Sequence, residues 1–273
     1  MKVLTIDLKK GYRSGKFLLK FISLIILMVI VAKFSVWAYL KSSEYEEALS
    51  NVTERSTVII DAGHGGEDCG AIGVSGVYEK DLNLEVAKAL GEEFADRGYA
   101  VIYTRLDDRL LYTEEENIYG IRKISDLKNR CKIGAETPNA IFISIHMNSF
   151  SQPKYSGTHV YYSEKNEESY PLAMSVQSKI KADLQPDNNR VPKPGKNMYL
   201  LENLENPALL IECGFLTNPD ECEKLSQKEY QKSLSFSIVC AIIEHIEKIK
   251  VKETENEGTK NYYCMPRMRH NKS

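Results

Sequence analysis

Apolar and polar positions along the chain follow two periods, and the switches between them mark out its elements. Thr57 to Ile60 is a short β-branched run closed by Asp61-Ala62-Gly63, which predicts a strand and then a turn. From Lys80 to Arg97 apolar residues recur at Leu82, Val86, Leu90 and Phe94, the spacing of one helix face, and Gly98 supplies the stop. A strand at Ala100 to Tyr103 and a polar stretch through Asn117 follow. A helix is then expected from about Tyr119 to Ala135, carrying Ile121, Ile124, Leu127 and Cys131, with Pro138 as a breaker. Ala140 to Ile145 (AIFISI) predicts a buried strand, Thr158 to Tyr162 another, and Tyr170 to Leu184 a helix. Gln185 to Asn197, rich in Pro, Asn and Lys, reads as a loop. Pro207 to Cys213 (PALLIEC) predicts one more strand, and Lys228 to Ile249 a long helix with Tyr230, Leu234, Ile238, Ile242, His245 and Ile249 on one face. Strands alternating with helices of this length imply an α/β fold, a largely parallel sheet with helices on both faces. In such sheets ligands bind outside the carboxyl ends of the strands.

The first 41 residues follow another pattern. Lys9, Lys10, Arg13, Lys16 and Lys20 precede an uncharged apolar run, Phe21 to Ala32. These twelve residues fall short of the ~20 that span a bilayer, but Phe17 to Leu40 reaches that length if Lys20 and Lys33 snorkel. Residues 1–41 are therefore a signal peptide, with small residues around Val36 and Ala38 as a cleavage pattern, or an N-terminal membrane anchor, the reading slightly favoured. Either way the body lies outside the cytoplasmic membrane, anchored or released to the wall. Residues 42–56 form a polar stalk, 57–250 the catalytic domain and 251–273 a polar, frayed tail.

Composition changes the picture in two places. With 42% apolar and 27% charged residues the chain is globular. The formal charge of −2 hides an asymmetry: residues 1–41 hold eight Lys or Arg against Asp7, leaving −9 for the rest. A body of that sign is a poor match for nucleic acid, whose phosphates need Lys and Arg. Six cysteines at irregular spacing, without a CxxC pair, predict mostly free thiols.

The chemistry-bearing residues collect at element ends. His64 lies in the glycine-rich turn after the first strand, Glu79 at the start of the first helix of the body, and His146 just past AIFISI. If the first and third strands are parallel neighbours, both histidines emerge at one sheet edge. Two imidazoles and a carboxylate, with a fourth position open, form the ligand set of a catalytic zinc site. Glu212 ends the buried run Ala208 to Ile211, where desolvation raises a carboxyl pKa toward that of a base useful at neutral pH. Such a base would take a proton from a water acidified by the metal and pass it to a departing amine. Each residue also has a plainer reading. His64 could be a loop histidine, Glu79 a carboxylate favoured by a helix N-terminus, His146 a core histidine and Glu212 half of a buried ion pair. Cys69 is a weak rival ligand, and His159, His245 and His270 are structural or surface residues by default.

In this order, IIDAGHGGEDCGAIG, YEKDLNLEVA, FISIHMNS and ALLIECGFLTNPDE resemble the motifs of the zinc-dependent N-acetylmuramoyl-L-alanine amidases of the amidase type 3 family, over about residues 57 to 247. The resemblance implies a twisted sheet similar to zinc exopeptidases and one zinc ion per domain. It assigns His64, Glu79 and His146 as ligands and Glu212 as the base. It also implies hydrolysis of the amide between the lactyl group of N-acetylmuramic acid and L-Ala in peptidoglycan. The export segment, the single catalytic domain and the stretch GIRKISDLKNRCKI make the chain most similar to membrane-targeted spore-cortex amidases of spore-forming Firmicutes. In those relatives the cut is the first step toward muramic-δ-lactam. Ala62 stands where Pro is common in the first motif. Peptidoglycan, the membrane and an accessory protein are the partners to expect. Asn148 and Arg105 are the polar residues to examine for substrate contact, with a structural role the equal alternative for Arg105, and Asp68 is a support for the metal ligands. The competing readings are a zinc peptidase cutting within the stem peptide, a vegetative cell-wall amidase and a catalytically silent wall-binding module.

Overall fold

The computed structural model describes residues 22, 25–37, 41, 57–118 and 120–263, with side chains described through residue 248. The chain divides into two units, Met1–Glu54 and Arg55–Ser273. In the first, residues 25–37 form helix α1, with Ile26, Phe34 and Trp37 exposed. No helix among the described residues is long and apolar enough to cross a membrane. Much of the expected leader, and the whole stalk, lie outside the described residues.

The second unit runs β1 (Thr57–Ala62), α2 (Glu79–Asp96), β2 (Ala100–Tyr103), α3 (Arg122–Glu136), β3 (Ile141–Asn148), β4 (His159–Tyr162), α4 (Ser169–Asp183), β5 (Lys193–Pro194), α5 (Tyr199–Asn203), β6 (Ala208–Phe215), α6 (Pro219–Leu225) and α7 (Lys228–Tyr263). The strands form one sheet in the order β2-β1-β3-β6-β4-β5. All pairings are parallel except β4 with β6, so the sheet is mixed. Period-two alternation splits its side chains between two cores. Ile60, Ile143 and Ile211 meet Val86 and Leu90 of α2, Val176 of α4 and Ile238 and Ile242 of α7. Ile59, Phe142 and Leu210 face the other way, among Leu127 of α3 and Leu201 of α5. Helices thus cover both faces, as the pattern predicted.

The structure departs from the sequence reading in several places. Three short elements were not predicted: β5, inside the stretch read as loop, and α5 and α6, in stretches given no element. In α6 the Asn218 side chain accepts a hydrogen bond from the Glu221 backbone N–H at 3.1 Å, and Pro219 opens the helix. α7 continues to Tyr263, so residues 251–263 are helical and not frayed. That stretch contains no proline, Gly258 is its poorest helix former, and the first proline beyond it is Pro266. The free-thiol expectation holds for the five described cysteines, and Cys264 lies outside the described residues. Burial pushes the Cys131 thiol up to about 11, well away from reactivity at neutral pH.

Candidate active site

The sheet register collects polar residues at the carboxyl ends of β1, β3 and β6, with Asp61 opposite Ser144 and His146 opposite Glu212. Beyond β1 the chain turns through Gly63-His64-Gly65-Gly66. His64 sits at φ 60°, a left-handed conformation that costs a non-glycine residue about 1–3 kcal/mol. The loop that follows leads to α2, which opens with Glu79, a buried acid at the positive end of the helix.

These three segments converge on one point. Glu79 Oε1 lies 3.2 Å from His64 Nε2 and 3.0 Å from His146 Nδ1. The two imidazole rings meet edge to face with centroids 4.9 Å apart. One donor atom from each of the three residues falls within 4.8 Å of the others. The Met147 backbone N–H donates to Glu79 Oε1 and the Ala71 N–H to Oε2, which fixes the carboxylate. On the far side of His64, Asp68 Oδ2 lies 2.9 Å from Nδ1 and 3.0 Å from Lys123 Nζ, within ion-pairing distance of both although His64 Nδ1 makes no hydrogen bond among the described residues.

The electrostatics follow from this packing. Burial alone would lower the His64 pKa, but Asp68 and Glu79 together push it up to about 9. Burial works to raise the Glu79 pKa, yet the two histidines hold it far below the usual carboxylate range. The site is therefore a concentrated negative pole that cations stabilise. Two imidazoles and a carboxylate match the donor preferences of zinc, so these residues fit such an ion. The backbone packs tightly against these side chains. A Cβ on Gly63 would lie 2.2 Å from His146 Nε2, and one on Gly70 2.5 Å from Glu79 Oε2. Gly63→Ala is expected to displace the His146 ring and cut bound zinc at least tenfold, read by metal analysis of the folded protein.

Glu212 is the fifth residue of β6 and neighbours His146 across the sheet. Its Oε2 is buried and has no hydrogen-bond partner among the described residues. Burial pushes its carboxyl up to about 7; the His146 and His64 charges oppose that rise and Glu79 adds to it. A carboxyl group in that range exchanges protons readily at neutral pH. Beneath the site, Asp61 accepts hydrogen bonds from Arg130, Ser144 and Thr104, all buried, and Arg130 also pairs with Asp126. Sequence reasoning missed this network; its signal was a polar residue, Asp61, inside a strand otherwise made of core residues.

Asn148 is half-buried at the end of β3, and its side-chain oxygen accepts from the Ser149 N–H. Arg105 is not where a substrate contact was expected. It is 1% exposed, and its guanidinium donates to the carbonyls of Ala62, Gly63, Lys80 and Asp107, which leaves it no free face. Cys69 lies outside the cluster of donor atoms. His159 packs against Tyr161 and places Nε2 3.0 Å from the Val191 carbonyl, a structural role. His245 approaches Ser175 on α4; His270 lies outside the described residues.

Comparison with known proteins decides among the hydrolases this geometry allows. Residues 58–244 match the N-acetylmuramoyl-L-alanine amidase family. The chain belongs to that family. The amidase is 35% identical over 188 residues to the germination-specific N-acetylmuramoyl-L-alanine amidase of Bacillus subtilis (strain 168), covering 69% of this chain and 78% of that one. It also superposes on the CwlD amidase from Clostridioides difficile, solved in complex with the GerS lipoprotein. There the TM-score is 0.68 at 38% identity, over 71% of this chain and 99% of that one. An N-acetylmuramoyl-L-alanine amidase from Clostridium difficile 630 gives 0.62 at 31% identity, over 71% and 97%. The amidase is thus a hydrolase of peptidoglycan with the α/β fold of these relatives.

Proposed function

We propose that this amidase is zinc-dependent and cuts the amide between the lactyl group of N-acetylmuramic acid and L-Ala, in spore-cortex maturation, on the outer side of the cytoplasmic membrane. The observation that carries the reading is the convergence of His64, Glu79 and His146 beside Glu212, whose buried Oε2 has no hydrogen-bond partner among the described residues. His64, Glu79 and His146 would hold the ion. When bound, zinc supplies a Lewis acid that polarises the substrate carbonyl and acidifies water. Glu212 takes up a proton at its carboxylate and returns it to the amine nitrogen of L-Ala as that group departs. Asp68 keeps His64 oriented throughout.

Location and partners are read from the sequence and the relatives. The basic, apolar N-terminus suits export and retention at the membrane. The acidic body is repelled by an anionic wall, so a tether or a partner must keep it there. The germination-specific relative supports the cortex, and the lipoprotein seated on the Clostridioides enzyme supports an accessory protein.

Mass spectrometry of purified peptidoglycan digested by the full chain tests the reaction. The expected products are stem peptides with a free L-Ala amine and muramic acid with a free lactyl carboxyl. A chelator should abolish release and added zinc restore it. Peptides shortened internally would instead identify a zinc peptidase, and equal action on cortex and vegetative wall would overturn the cortex assignment.

A further inference from the structure

His64 and Glu79 sit on different elements, yet one buried side chain holds both segments. Arg105 lies two residues beyond β2 and is 1% exposed. Its Nε donates to the Ala62 carbonyl at 2.9 Å, and its Nη2 donates both to Gly63 O at 2.9 Å and to Lys80 O at 2.8 Å. Ala62 and Gly63 lead directly into His64, and Lys80 follows Glu79. A single guanidinium nitrogen therefore bridges the turn that carries one ligand residue to the helix start that carries another. The turn needs such a hold, because His64 is kept at φ 60°. Arg130 adds a second clasp from α3, donating to the carbonyls of Ala62 and His64. Arg130 is also tied into the buried Asp61 and Asp126 ion pairs, whereas the Arg105 hydrogen bonds all go to carbonyls.

We propose that Arg105 is a positioning residue for the metal site: it brackets the His64 turn to the start of α2, fixes the spacing of His64 and Glu79, and thereby sets zinc affinity. The inference rests on the zinc reading above. Its geometry demands arginine. The planar fork offers donors in several directions at once, while a lysine ammonium offers its three from one point on a flexible stem and cannot span all these carbonyls. Replacing Arg105 leaves no buried carboxylate without its cation, so the change acts on the turn more than on the core.

The test measures zinc affinity of the full chain by competition with a chromogenic chelator, beside the thermal midpoint. Arg105→Lys is expected to weaken zinc binding about 10- to 100-fold. Val176→Ala, in the core under α4, serves as a control that loses stability away from the site; it is expected to bind zinc as tightly as the parent. Arg105→Gln, which retains a neutral donor, should fall between parent and lysine variant or match the latter. Parent-like affinity in Arg105→Lys, or an equal loss in Val176→Ala, overturns the proposal. So does failure of both Arg105 variants to fold at low temperature, since the residue would then serve the fold as a whole. A parent chain that takes up no zinc defeats the zinc reading itself, whereas zinc uptake unchanged between parent and Arg105→Lys defeats only the bracket.

Discussion

Glu212→Gln is expected to lower the turnover of muramoyl peptides by about 10²- to 10⁴-fold while zinc content and fold stay at parental levels. Glutamine keeps the shape of the side chain and an oxygen acceptor but cannot accept the proton. Little structural cost opposes the change, because the buried Oε2 of Glu212 has no hydrogen-bond partner among the described residues to lose. The sign of the pH effect supports this. The folded pKa of Glu212 is raised by burial to about 7, so its contribution favours folding below the ordinary carboxylate range and is lost as pH rises through 7. The zinc-free glutamine variant should therefore unfold at the same or higher denaturant concentration than the parent at pH 8. The decisive measurements are kcat on a soluble muramoyl peptide and metal content per chain. Activity within a few-fold of the parent would remove Glu212 from the mechanism; lost zinc would make it part of the metal site instead.

Asp61→Asn should cost about 3–5 kcal/mol of stability, the magnitude found when one member of a buried ion pair is removed. Asp61 is fully buried, and its two oxygens gather Arg130, Ser144 and Thr104. Asparagine keeps one acceptor and turns an NH₂ group toward donors, leaving Arg130 with Asp126 as its remaining carboxylate. Burial alone would raise the Asp61 pKa, but the Arg130 charge, followed by the Ser144 and Thr104 hydroxyls, holds it below the usual range. A depressed pKa places its stabilisation above the ordinary carboxylate value near ~4, with loss as pH falls through the lower folded value. Urea unfolding at pH 7 and at pH 3 checks both parts. The gap between parent and variant should be wide at pH 7 and smaller at pH 3 by about 1 kcal/mol, since a single carboxyl loses about 1.4 kcal/mol per pH unit below its unfolded pKa. A difference below about 1 kcal/mol at pH 7, the scale of an exposed pair, would show that the ion pair is not what stabilises this end of the sheet.

The chain displays its layered fold in its hydrophobic periods because β1, β3 and β6 are continuous apolar runs and α2 and α4 carry regular stripes. What it conceals has physical causes. β1, β3 and β6 extend two, three and four residues beyond their apolar runs, since Asp61, His146 and Glu212 are polar residues inside strands, and the first two look like loop until their partners are known. β5 has two residues and α5 has five, too few to complete a period. For α6 the signal was present in Asn218-Pro219-Asp220-Glu221, a helix start that was read only as part of a motif. The reversal of β4 has no local signature, as direction in a sheet depends on the path of the connections. His64, Glu79, His146 and Glu212 were legible because element ends of an α/β sheet share an edge. Arg105 was misplaced because an arginine's burial depends on carbonyls that come from two other segments.

Among the described residues β6 is the last strand, yet it docks between β3 and β4. As the polypeptide grows, the histidines and Glu79 emerge well before Glu212, and β3 keeps an open edge until residues 208–215 arrive. The candidate site is thus assembled late, only once β6 has been made, with α6 and α7 still to follow. A nascent or prematurely terminated chain ending before β6 carries His64, Glu79 and His146 without Glu212, so on the mechanism proposed above it is inert toward wall polymer.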